Sequence, residues 1–131
     1  MTDQRLTGWH AFLHSRDEQA LLAILDPDIV FESPVVFSPQ VGRDAAVRYI
    51  SAGVRLLGTP DFRYLREFHH PDGAVLEFET AIEGVTINGV DMMTFSGDTD
   101  RIVGLKVMVR PMKAIEVLRR RMGEALAESS L

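Results

Sequence analysis

The sequence contains no cysteine. That excludes a disulfide framework, a thiolate zinc site and a cysteine nucleophile. It has no surplus of basic residues either. Fourteen Lys and Arg face nineteen Asp and Glu, for a net charge of −5. No basic stretch carries interleaved aromatics, so nucleic acid is not an expected partner. No apolar run approaches the length of a membrane span, so no membrane role is expected. Repeats and low-complexity tracts are absent. The opening MTDQRLTGWH lacks the apolar core of a signal peptide, which makes a cytoplasmic protein the simplest expectation.

What remains is an ordinary globular composition. Hydrophobic residues make up 46% and charged residues 25% of 131 positions. That is enough for one domain, residues 1–131, with a core of its own. Only the closing AESSL reads as frayed.

The third quarter organises the chain. Ala74 to Ile82, Ile87 to Phe95 and Arg101 to Arg110 read as strands joined by short links at Gly84 and at Gly97 with Asp98 and Asp100. Short links predict an antiparallel meander. One strand face offers Leu76, Phe78, Thr80 and Ile82; the next offers Ile87, Asp91, Met93 and Phe95. Asp91 is a lone carboxylate on an otherwise apolar face. Such a group must be paired, protonated or functional.

Before the meander, Leu6, Trp9, His10 and Leu13 recur at helical spacing and predict a helix from Asp3 to His14. Ser15 and Glu18 have the spacing of a capping box, which predicts a second helix. Asp26-Pro27 is expected to end it. Ile29 to Glu32 reads as a short strand, followed by a loop from Val35 to Gly42. A third helix is predicted from Arg43 to Leu57 and a strand from Phe62 to His69. A last helix runs from Met112 to about Leu126, with Pro111 in its first turn. Helices and strands are grouped rather than alternating, which predicts an α+β fold. The expected form is a curved antiparallel sheet with three to four helices on its concave face, enclosing a pocket.

Two stretches carry a family resemblance: DPDIVFESPVVFSPQVGRDAAVRYI and GVDMMTFSGDTDRIVGLKVMVRP. They resemble the nuclear transport factor 2-like superfamily, in particular its SnoaL-like and ketosteroid isomerase branches. The resemblance covers nearly the whole chain in element order. It implies a cone-shaped barrel with an apolar pocket, commonly in a homodimer. In the isomerase branch an Asp is the general base, and a Tyr with a protonated Asp forms the oxyanion hole. The base precedes a proline after the first strand, where this chain has Ser33 before Pro34. The oxyanion Asp matches Asp91 in Val90-Asp91-Met92. The Tyr falls at Trp9. Serine cannot abstract a carbon-bound proton without an activating base. Trp9 can donate one hydrogen bond but cannot ionise.

The expected ligand-binding residues are Trp9, Phe12, Ser33, Tyr49, Phe78, Met93, Val107 and Val109, with Asp91 as the candidate catalytic group. Asp91 either stays protonated and donates to a ligand, or pairs with an Arg and is structural. Glu32 alternates with Phe31 and is expected to face water. His10 and His14 share a helix face at i, i+4, but a third ligand is missing from the pattern, so no metal is expected. His69 and His70 are adjacent on a strand and point apart. Arg119 to Arg121 read as a solvated face near a helix C-terminus. Met92, Met93 and Met108 read as packing, and no cofactor is expected.

Three functions fit. The first is binding of a small apolar or aromatic metabolite. The second is an isomerase, cyclase, dehydratase or hydrolase using Asp91. The third is a dimeric interaction module without a ligand. The face opposite Asp91 carries Val75, Val90, Met92, Thr94 and Met108 beside Glu77, Glu79, Lys106 and Arg110. It is more apolar than a solvated face needs to be, and predicts a homodimer.

Overall fold

In the computed structural model, which describes residues 3–129, a 3-10 turn (Gln4–Leu6) leads into helices α1 (Thr7–Ser15) and α2 (Glu18–Ile24). Strands β1 (Leu25–Glu32) and β2 (Gln40–Val41) precede helix α3 (Arg43–Leu57). Strands β3 (Arg63–His70), β4 (Gly73–Ile82), β5 (Val85–Phe95) and β6 (Ile102–Arg110) follow, and helix α4 (Met112–Ser129) ends the fold. Of the stretch AESSL expected to fray, residues 127–129 continue α4, and Ser130 and Leu131 lie outside the described residues. The strands form one curved, unclosed sheet in the order β2-β1-β6-β5-β4-β3. None of the described helices is long and apolar enough to cross a membrane.

The meander forms because its strands alternate and its turns are short. Along β4 every second residue is buried, from Ala74 to Ile82. On β5 the inward set is Ile87, Gly89, Asp91, Met93 and Phe95. Glu83 and Gly84 link β4 to β5 with φ of 54° and 76°. Two left-handed residues in a two-residue loop match the strands' twist. Arg120 and Arg121 of α4 hold the Glu83 carboxylate at 2.7 and 3.1 Å, tying the hairpin tip to the last helix.

Several boundaries differ from the sequence reading. The first helix is split, because Asp3 accepts from the Arg5 backbone and starts a 3-10 turn. Ser15 and Glu18 do not form a capping box. Asp17 caps α2 by accepting from the Gln19 backbone, and Ser15 Oγ accepts from the Asp17 backbone instead. Asp26-Pro27 does not merely stop a helix; it lies inside β1, whose register with β6 shifts between Leu25 and Val30. That β1–β6 pairing is parallel, so the sheet is mixed rather than wholly antiparallel.

Two clusters make the core. One gathers Leu6, Trp9, Phe12, Leu21, Leu25, Phe31 and Leu105 under the first three helices. The other gathers Phe78, Ile82, Ile87, Val117 and Leu118 under α4. Tyr64 and Val107 pack against both.

Gly89 matters at this seam. It faces Phe78 across the β4–β5 ladder. A Cβ there would lie 2.5 Å from the Phe78 ring and 2.6 Å from the Met108 carbonyl oxygen. Only a hydrogen leaves room for the ring to lie over the strand. Gly89→Ala should therefore lower stability by about 1–3 kcal/mol, the usual cost of overpacking. Chemical denaturation checks this. An unchanged unfolding midpoint would show that the ring has free space to move.

Candidate functional site

The seam between the two core clusters holds a cavity of about 110 Å³. Its floor is the sheet, through Phe31, Phe78, Asp91, Leu105 and Val107. Helices α1, α3 and α4 supply Trp9, Ile50, Val54, Leu118 and Met122. Six aromatic residues line it: Trp9, Phe31, Tyr49, Phe62, Tyr64 and Phe78. Among the described residues no lysine, arginine or histidine does.

Of the residues expected from sequence, the structure brings together Trp9, Ser33, Tyr49, Phe78, Val107 and Asp91 on the cavity wall. Phe12, Met93 and Val109 are not on it. Phe12 is 1% exposed and tilts against Trp9, with ring centroids 5.7 Å apart, and packs into the first core cluster. Met93 lies one inward step beyond Asp91 on β5 and packs into the first core cluster. Val109 pairs with Gly89 and packs against the second cluster. Glu32 is half-buried and lies 3.4 Å from Lys106. His10 Nε2 lies 3.1 Å from a carboxylate oxygen of Glu67.

Asp91 sits between Leu76 on β4 and Val107 on β6. It is buried, and its partner is neither an Arg nor the Trp9 indole directly. Tyr64 stands between. The Trp9 indole N–H donates to the Tyr64 hydroxyl at 2.9 Å, and that hydroxyl donates to Asp91 Oδ2 at 2.7 Å. Among the described residues no cation is ion-paired with Asp91, so the salt-bridged alternative is overturned. Oδ2 is held by Tyr64, whereas Oδ1 takes no hydrogen bond. No fully buried side-chain oxygen among the described residues lacks a partner. Oδ1 therefore reaches open space, on the cavity side.

Tyr64 was not picked out from sequence, and the reason is a bulge. In β3, Tyr64 pairs with Phe78 but Arg66 pairs with Glu77, so Leu65 is an extra residue. In a regular strand Tyr64 and Arg66 would share a face. Here Tyr64 turns inward while Arg66 turns outward to Glu77 at 2.6 Å. The available signal was Phe62 and Tyr64 at spacing two, with Arg63 between them.

Burial without a countercharge pushes the Asp91 carboxyl up from 3.8 to about 6, and the Tyr64 hydrogen bond pulls partly back. The ionised form therefore predominates at pH 7, against the expected neutral donor. Burial and the adjacent carboxylate push the Tyr64 phenol well above its ordinary value, so it stays a donor.

A raised carboxyl pKa has a definite sign in stability. The folded state holds the proton more tightly than the unfolded state, so the penalty is absent below about pH 4. It grows as pH rises and is complete above about pH 6. Its size is about 3 kcal/mol. Asp3 and Glu83 are shifted down by Arg5 and Arg120 and act in the opposite sense, so the comparison must isolate Asp91. Asp91→Asn should gain about 3 kcal/mol relative to wild type between pH 4 and pH 7.5, read by denaturant unfolding. Parallel stability curves would mean that Asp91 titrates normally.

The family model for the SnoaL-like domain matches residues 6–105. A crystal structure described as a steroid delta-isomerase from Pseudomonas aeruginosa is 33% identical, covers 95% of this chain and 90% of its own, and superposes with a TM-score of 0.88. An uncharacterised protein with a cystatin-like fold from Silicibacter pomeroyi is 24% identical, covers 92% and 84%, and gives 0.84. A SnoaL-like polyketide cyclase, so assigned, from Shewanella denitrificans is 17% identical, covers 95% and 96%, and gives 0.64. The last two share the fold. Comparison with curated proteins found no match. A domain match over most of the chain, joined to this sheet and its helices, makes the chain a member of the SnoaL-like family.

Proposed function

We propose that the chain binds a small, largely apolar molecule in the cavity, with Asp91 as its polar anchor. One observation carries this reading. Oδ2 of Asp91 is fixed by Tyr64, while Oδ1 opens unpaired onto an apolar, aromatic wall. A buried carboxylate oxygen with room beside it needs a donor, and a ligand supplies one. The cavity's 110 Å³ sets the size. A dry cavity of about 150 Å³ holds benzene, so the occupant is no larger than a single ring or a short branched chain.

Trp9 is the only tryptophan, it lines the cavity, and its N–H is committed to Tyr64. Ligand binding should therefore alter its fluorescence. A titration with single-ring compounds checks this; if none changes the emission or releases heat in calorimetry, the binding reading fails.

A second, catalytic reading has its own support. A carboxyl near 6 is suited to proton transfer at neutral pH, and the 33%-identical relative is described as a steroid delta-isomerase. In that reading Oδ1 takes a proton from a carbon next to a ligand carbonyl and returns it to a second carbon. Trp9 and Tyr64 position the carboxylate. Ser33 and Tyr49 lie on the same wall, and in this reading their hydroxyls donate to the developing enolate. The isomerisation of 3-cyclohexenone to 2-cyclohexenone, a one-ring conversion of this type, tests it. Asp91→Asn should reduce the rate at least about a hundredfold. Equal rates in both proteins would leave binding alone.

The assembly proposed for this function is a homodimer through the outer sheet face. Phe68, Met92 and Met108 are 60%, 38% and 49% exposed there, in rows that also hold Val75 and Val90. Arg63–Glu79, Arg66–Glu77 and Lys106–Glu32 pairs rim the patch. An apolar centre with a charged rim is how interfaces are built. Sedimentation should give about twice 14.6 kDa at micromolar concentration, and Met92→Glu with Met108→Glu should give the monomer. A wild-type monomer would contradict it.

A further inference from the structure

Four other carboxylates that tie parts of the fold together have cationic partners. Asp3 faces Arg5, Glu77 faces Arg66, Glu79 faces Arg63, and Glu83 faces Arg120 and Arg121. Asp91 is the most buried of the acidic residues described and has none. Among the described residues, the only side-chain hydrogen-bond partner of its carboxylate is a neutral phenol. Burying a carboxylate without a countercharge is costly, and one hydrogen bond does not offset it. A neutral ligand that donated to Oδ1 would satisfy the oxygen and still leave the charge uncompensated.

The rest of the wall favours a cation too. Six aromatic residues surround the same small space. The polar edges of two of them are committed to each other and to Asp91, since the Trp9 N–H and the Tyr64 O–H both point along the chain to Oδ2. What these rings can offer a ligand is their faces. Ring faces carry negative electrostatic potential and attract organic cations, most strongly where water is excluded. Phe62 is stacked on Phe78 at 5.6 Å and meets Tyr64 edge-on at 5.2 Å, so the rings hold one another in place. No basic side chain on the wall would repel a cation. The net charge of −5 draws cations toward the molecule.

We infer that the cavity selects a small organic ammonium ion, with its charged nitrogen against Oδ1 of Asp91 and its carbon substituents against the aromatic and aliphatic walls. This rests on the reading of the cavity as a ligand site and narrows it to one charge class. The ammonium supplies the missing countercharge and a charge-assisted hydrogen bond together. The size limit stays in force: an amine with one ring or a few branched carbons fits 110 Å³, and a polycyclic amine does not.

The test pairs cations with neutral compounds of the same shape. Benzylammonium is compared with benzyl alcohol, and tert-butylammonium with tert-butanol, by titration calorimetry and Trp9 fluorescence on the intact protein at pH 7.5. Each ammonium should bind at least about tenfold tighter than its alcohol, a difference of 1.4 kcal/mol. Asp91→Asn should erase that preference. The wild-type comparison stands even if the variant folds poorly. Alcohols that bind as tightly as the ammonium ions would overturn the charge inference and leave the ligand site intact. Binding of neither class would overturn both. A preference that survives in folded Asp91→Asn would place the cation's partner elsewhere and overturn the assignment to Asp91.

Discussion

The Tyr64 hydroxyl donates a 2.7 Å hydrogen bond to Asp91, and much of the molecule is arranged around that bond. It crosses β4 to link β3 with β5, and the Trp9 indole extends it to α1 at 2.9 Å. The first helix is thus docked on the sheet by a polar contact as well as by packing. Tyr64 faces inward because Leu65 is extra in β3, and Gly89 leaves space for the neighbouring Phe78 ring. Remove the bulge and Arg66 would share the inner face with Tyr64, placing a guanidinium among the aromatics.

The same bond fixes what the cavity can do. It orients one carboxylate oxygen and leaves the other open. It lowers the Asp91 pKa partway from where burial alone would set it. A carboxyl in that position weakens the fold at neutral pH, and nothing else in its surroundings compensates for it. The surrounding core is otherwise consistent at every level: alternating strands, a left-handed hairpin loop, and surface carboxylates paired with arginines. A local conflict of this kind is where function is expected. The SnoaL-like fold supplies the cavity; Asp91 and the six aromatic residues, Tyr64 among them, give it a particular chemistry.

Much of this is legible in the sequence, because alternation is a strong signal. The meander, its inward faces and the anomaly of Asp91 follow from residues 73–110 alone. Helix α3 starts and stops where Arg43 and Gly58 suggest. Other features leave no local trace. The parallel β1–β6 pairing joins segments some seventy positions apart, and no pattern within either one encodes it. Asp17, not Ser15, caps α2, and both are capping residue types two positions apart, so the sequence alone does not separate them. Phe12, Met93 and Val109 are of the same residue types as the wall residues, and only their depth along helix or strand separates them from it. Tyr64 is hidden by its bulge, since alternation counted through Leu65 gives the wrong face for one side of the strand.

Carbon-13 titration of the aspartate carboxyl groups, with the Asp91 signal assigned by its loss in Asp91→Asn, reads the state of this residue directly. The wild-type midpoint should be about 6, and Tyr64→Phe should move it higher because a hydrogen bond that favours the ionised form has been removed. A midpoint at the ordinary 3.8, or one that Tyr64→Phe leaves in place, would contradict a buried, uncompensated carboxylate held by Tyr64.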